Sequence, residues 1–108
     1  MRITDQQKKA FISALSPFIA NRQPAELRLF GSRMDDDLKG GDIDLLVVCA
    51  DSMLQQHLSL NKAKILARIF MIIEEEKIDL TVTTKEKVQT EPFLMKVYPS
   101  SLLLHKWN

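Results

Sequence analysis

The apolar positions of the chain change period several times, and each change marks an element. Thr4-Asp5-Gln6-Gln7 has the form of a capping box, with a Thr at the N-cap and a Gln three residues on. Phe11, Ile12, Leu15, Phe18 and Ile19 then recur at helical spacing, which predicts a helix over residues 5–20 that stops before Pro24. Residues 25–30 alternate, with Leu27 and Leu29 on one side and Arg28 and Phe30 on the other, as in a strand ended by Gly31. A second strand is predicted over residues 42–50. Its tail Leu45-Leu46-Val47-Val48 is apolar on both sides, as in the middle of a sheet. Residues 53–76 read as one long helix carrying Leu54, Leu58, Ile65, Ile69, Ile72 and Ile73 on one side. Residues 78–83 alternate strictly, Ile78, Leu80 and Val82 against Asp79, Thr81 and Thr83. Thr90 reads as an N-cap for a short helix over residues 91–98, and residues 101–105 read as a final strand or a docked tail.

Strands alternating with helices predict an α/β or α+β fold: a small mixed sheet with helices mainly on one face, in a single domain over residues 1–108. The clean alternation of the first and third strands predicts helices on one face only. The other face then carries Arg28, Asp79, Thr81 and Thr83, with Phe30, Leu46 and Val48 beside Asp44. A face of that kind calls for a cover, either residues 101–107 or a second chain.

Composition narrows the functional classes. Fifteen Lys and Arg against 14 Asp and Glu give a formal net charge of +1, which leaves no basic excess for gripping duplex nucleic acid. One cysteine, Cys49, excludes an internal disulfide framework and reads as inert core. Apolar runs such as residues 45–50 and 69–73 fall far short of the about 20 residues of a membrane span. No signal-peptide core follows Met1, so a cytoplasmic protein is expected.

The chemistry concentrates in Leu29-Phe30-Gly31-Ser32-Arg33 and Gly40-Gly41-Asp42-Ile43-Asp44. Asp42 and Asp44 are two apart at the start of a strand, so their carboxylates share a face, while Ile43 points to the core. Paired carboxylates invite a hard divalent cation such as Mg²⁺, which keeps positions open for substrate phosphates. Gly31 lets the backbone approach a phosphate, and Ser32 with the N–H groups of a following turn can donate to it. Arg33 can pair a phosphate or the run Asp35-Asp36-Asp37.

Gly31-Ser32, Asp42-Ile43-Asp44 and Asp79 on a later strand resemble the motif of the DNA polymerase β-like nucleotidyltransferase superfamily. The likeness is to its minimal nucleotidyltransferase group, found beside HEPN-domain proteins in two-gene toxin–antitoxin modules. It covers nearly the whole chain, including the Glu91-Pro92-Phe93 helix start. The resemblance implies the nucleotidyltransferase fold and Mg²⁺-dependent transfer of AMP from ATP. Asp42 and Asp44 would bridge two ions, Asp79 would bind the ion nearest the attacking hydroxyl, and Gly31, Ser32 and Arg33 would hold the triphosphate. It also implies an all-helical HEPN partner in a hetero-oligomer, with a tyrosine of that toxin as the acceptor and this chain as antitoxin. Where the family often has Ala-Arg-Gly after Gly-Ser, this chain reads Met34-Asp35-Asp36. That departure keeps two further expectations open: a nucleotide-binding or masking subunit with weak turnover, and a plain α/β interaction domain.

Overall fold

A computed structural model describes residues 3–19, 22, 24–31, 42–74 and 77–108. Its elements run α1 (Asp5–Ile19), β1 (Ala25–Phe30), β2 (Ile43–Cys49), α2 (Ser52–Leu60), α3 (Lys62–Ile72), β3 (Ile78–Thr84), α4 (Lys87–Thr90), α5 (Pro92–Val97) and β4 (Leu102–Trp107). The fold is a mixed α+β domain on a four-stranded sheet of order β3-β2-β1-β4. β1 runs antiparallel to both its neighbours, and β2 and β3 are parallel. Among the described residues no helix is long and apolar enough to cross a membrane.

The capping box forms at both ends of its motif. The Gln7 N–H donates to Thr4 Oγ1 at 3.0 Å, and the Thr4 N–H donates to Gln7 Oε1 at 2.8 Å, so two orphan donors of the first turn are satisfied. α1 buries Ala10, Phe11, Ala14, Leu15 and Ile19, one stripe at helical spacing. That stripe packs with Leu54, Leu58, Ile65 and Ile69 of α2 and α3 on one face of the sheet. The sheet contributes Leu27, Leu29, Ile43, Leu45, Val47 and Leu80, the alternating positions of β1, β2 and β3.

The structure corrects the sequence reading at four places. The single helix expected over residues 53–76 is two helices, because Asn61 interrupts it. Its Nδ2 donates to the His57 carbonyl at 2.8 Å and its N–H turns back to Leu58, so the side chain competes with the helical ladder. Residues 87–90 form α4, a helix not expected from the sequence. The Lys87 N–H donates to Thr84 Oγ1 at 3.2 Å and starts that turn. Thr90 does not cap α5; Glu91 holds that position, and Thr90 Oγ1 donates to the Glu86 carbonyl.

The fourth correction concerns the cover of the second face. Helices do not lie on one face only. Val88 of α4 and Leu94 of α5 bury Leu46 and Val48, with Phe30, Val97 and Tyr98 packed around them. Residues 101–107 do not fold over this face; they form β4 and close the β1 edge. A register shift between Leu27 and Arg28 marks a bulge in that pairing. The bulge breaks the period of two, so Leu104 and Trp107, three apart, both reach the main core. There the Trp107 indole N–H donates to Ser16 Oγ at 3.1 Å.

Candidate functional site

The site is built where β1 ends and β2 and β3 begin. Antiparallel pairing sets Phe30 opposite Asp44, and parallel pairing sets Asp44 opposite Asp79. Directly paired residues point to the same face, so Asp44 and Asp79 project from the face opposite the main core. Ile43 and Ile78, one residue earlier on each strand, point into that core. Asp42 lies one residue before β2 and is exposed, as is Asp79; Asp44 between them is half-buried. Burial raises the Asp44 carboxyl above its ordinary value, and the neighbouring charges of Asp79 and Asp42 raise it further.

Gly31 ends β1 with φ of +80°, in the left-handed region that favours glycine. A Cβ at this position would fall 3.0 Å from Asp44 Cγ and closer still to Oδ2. The glycine backbone is therefore laid against the Asp44 carboxylate, in space that any side chain would fill. Ser32 and Arg33, expected beside it, lie outside the described residues, as do Met34, Asp35, Asp36, Asp37, Gly40 and Gly41.

The donor set is carboxylate oxygen throughout, which suits a hard divalent ion such as Mg²⁺. Gly31 carries no side chain to displace the Asp44 carboxylate, so the residue types fit the ion. Among the described residues, no three His, Cys, Asp or Glu side chains stand in a group able to hold a metal ion. The charges of Asp79 and Asp42 reach Asp44 and add to the rise that burial causes, but the three acids do not close round a centre.

A second polar cluster shares this face at the other end of β1, and of it the sequence reading placed only Arg28 here. Arg28 Nε donates to Glu26 Oε1 at 2.8 Å, and the Tyr98 hydroxyl donates to the same oxygen at 3.0 Å. Arg28 also donates to Ser101 Oγ at 3.2 Å and stacks its guanidinium 4.3 Å from the Tyr98 ring centroid. Burial pushes the Glu26 carboxyl up, but the hydrogen bonds from Arg28 and Tyr98 and the charges of Arg28 and Lys106 outweigh it and leave the group below its ordinary value. The cluster ties the turn between α5 and β4 to the sheet. Tyr98 and Ser101 lie 70 or more positions from Glu26 and Arg28 in sequence, so no local spacing announces their part in it.

Cys49 is fully buried, and burial, with a smaller contribution from Asp51, pushes its thiol up to about 12, as inert core requires. Neither described groove beside α1 and α3, nor the one at the carboxyl ends of β2 and β3, is lined by any of the three acids. Comparison with protein-family models, curated proteins and solved structures finds no match.

Proposed function

We propose that this chain is a Mg²⁺-dependent nucleotidyltransferase that moves AMP from ATP to a hydroxyl, with a tyrosine of a HEPN-type partner as acceptor, and that it serves as the antitoxin of that pair. One observation carries the reading: Asp44 stands directly between Gly31 and Asp79, with its carboxyl raised by burial and by two neighbouring acids. Acids that repel one another are relieved when a cation joins them, so the arrangement favours binding Mg²⁺ together with a triphosphate.

Asp42, Asp44 and Asp79 would hold the ion, and the Gly31 backbone, laid against the Asp44 carboxylate, would lie beside the phosphates. When bound, Mg²⁺ supplies charge neutralisation on the reacting phosphoryl oxygens and on the leaving pyrophosphate. Asp79, exposed on the edge strand β3, is the acid open to an incoming acceptor hydroxyl, whose proton it can accept. Aspartate is a weak base, so positioning supplies most of the acceleration.

The open arrangement of the acids favours one competing reading, a subunit that binds nucleotide or masks its partner without turnover. Incubation of the chain and its co-expressed neighbour with α-labelled ATP and Mg²⁺ separates the two. Label on the partner, lost in Asp42→Asn and Asp44→Asn, supports transfer. ATP binding without label supports the masking subunit. Asp79→Asn is expected to lower the transfer rate far more than ATP affinity, since it acts on the reacting group. Transfer at wild-type rate in an Asp42→Asn, Asp44→Asn double variant would end the assignment.

A further inference from the structure

One aromatic ring lies beside Asp44 and a second packs on the first, and the proposed reaction uses neither. Phe30 is the cross-strand neighbour of Asp44 and shares its face. Its ring is half-buried and packed against the cluster of Leu46, Val48, Val88 and Leu94, so it is anchored. Phe93, in the first turn of α5, meets Phe30 edge-on, with ring centroids 6.1 Å apart and planes at 74°. Phe93 itself is 54% exposed, more than any other aromatic side chain among the described residues. A phenyl ring held at a fixed angle by a buried neighbour, with more than half its surface open, is a ready surface for stacking.

We propose that Phe93, braced by Phe30, stacks on the base of the nucleotide, and that the site prefers a purine because its larger ring covers more of the phenyl surface. This inference rests on the nucleotidyl-transfer reading above. The layout of the face supports it. Asp79, Asp44 and Phe30 follow one another across three adjacent strands, and Phe93 stands on Phe30 from the helix above. Strands lie about 4.8 Å apart. Phe93 therefore stands on the order of 10 Å from Asp44, about the reach of a ribose, one phosphate and its counter-ion. A nucleotide has the same order of parts: charged phosphates at one end, a flat weakly polar ring at the other.

Calorimetric titration of the full chain in saturating Mg²⁺ tests this with two probes, ATP and tripolyphosphate, which lacks the base. Truncating a stacking aromatic weakens base binding by about tenfold or more. Phe93→Ala is expected to bind ATP about tenfold more weakly while its affinity for tripolyphosphate stays unchanged. Phe93→Trp should retain or strengthen ATP binding. Phe93→Leu keeps the apolar packing on Phe30 but not the ring, so it should fall with alanine, and it carries the comparison if the alanine variant melts early. Equal ATP affinity in wild type and Phe93→Leu overturns the stacking role and leaves the transferase reading standing. Equal loss of ATP and tripolyphosphate overturns it as well, because the residue then acts on the phosphate end. A wild-type chain that binds neither probe overturns the transferase reading, and the inference with it.

Discussion

Replacing Gly31 by alanine tests the junction on which the site depends. The residue has φ of +80°, and an L side chain in that region costs about 1–2 kcal/mol. The added methyl would also fall 3.0 Å from Asp44 Cγ and closer to Oδ2. The carboxylate end can swing away more cheaply than the strand can move, at the cost of about 1 kcal/mol for an off-rotamer side chain. Gly31→Ala should therefore destabilise by about 2–3 kcal/mol. In an Asp44→Ala background Cγ and Oδ2 are gone, and the nearest atom is Asp44 Cβ at 3.3 Å, a contact that small adjustments relieve. Only the backbone cost of about 1–2 kcal/mol then remains. Urea unfolding of the four proteins closes a double-mutant cycle, with an expected coupling of about 1 kcal/mol. Gly31→Ala should also lose MgATP binding, because the displaced carboxylate no longer faces Asp79. A strictly additive cycle would refute the contact between Gly31 and Asp44. An alanine variant as stable as wild type would refute the backbone argument.

Asp44 gives a pH dependence of defined sign. Its folded-state carboxyl is raised above the ordinary 3.8, so the folded protein holds this proton more tightly than the unfolded chain, and the stabilisation it brings is present below about 3.8 and lost as pH rises through the raised value. Without divalent ions, Asp44→Asn should be more stable than wild type at neutral pH by about 1 kcal/mol, the repulsion of two acids about 5 Å apart in a medium close to water. The difference should vanish as the pH falls below the carboxylate range; urea midpoints across pH check it, and a wild type more stable at neutral pH would contradict it. Thr83 is 2% exposed, and among the described residues its Oγ1 finds no hydrogen-bond partner. Thr83→Val keeps the shape and removes a buried orphan hydroxyl, so it should stabilise by about 1–2 kcal/mol; a loss of stability in the same denaturation assay would mean that the hydroxyl has a partner.

What the sequence made legible follows from how local each signal is. β1 and β3 could be read because one of their faces packs on helices, and burial imposes a period of two on neighbours in sequence. The start of α1 could be read because a capping box involves only four residues. The same-face placement of Asp44 and Asp79 could be read from strand parity, and the register sets the two opposite each other, while Asp42 lies one residue before β2. The break at Asn61 was hidden because no Gly or Pro marks it: the apolar period continues from Leu58 to Ile65 with a single side chain diverting the ladder. β4 was legible only as one of two alternatives over residues 101–105, because its bulge replaces alternation by a spacing of three. The cover of the second face was hidden because α4 and α5, of four and six residues, are too short to show a helical period. The Glu26, Arg28 and Tyr98 cluster is a consequence of that cover, and so was equally invisible.

The acids stand at the amino ends of β2 and β3, whereas ligands of open parallel sheets gather at the carboxyl ends. The direction of β1 accounts for this. It runs against β2, so its carboxyl end, Phe30 and Gly31, arrives at the amino end of β2 beside Asp44. The opposite ends of β2 and β3 are already engaged: Asp51 accepts from the Leu54 N–H to cap α2, and Thr84 accepts from Lys87 to start α4. Across the same face, α4 and α5 cover Leu46 and Val48, and the Glu26 cluster fastens α5 and β4 at the far end of β1. At the amino ends of the strands, the described residues leave a polar corner at Gly31, Asp42, Asp44 and Asp79. One side of that corner is walled by the rings of Phe30 and Phe93, and the β4 edge lies beyond them. Its other side is β3, an edge strand on which Asp79 is exposed. If the rings take the nucleotide, the acceptor must enter past β3, and Asp79 is the acid that it meets first. On the proposed transferase reading, the asymmetry of this corner, apolar toward β1 and open toward β3, would put the two substrates on opposite sides of Asp44.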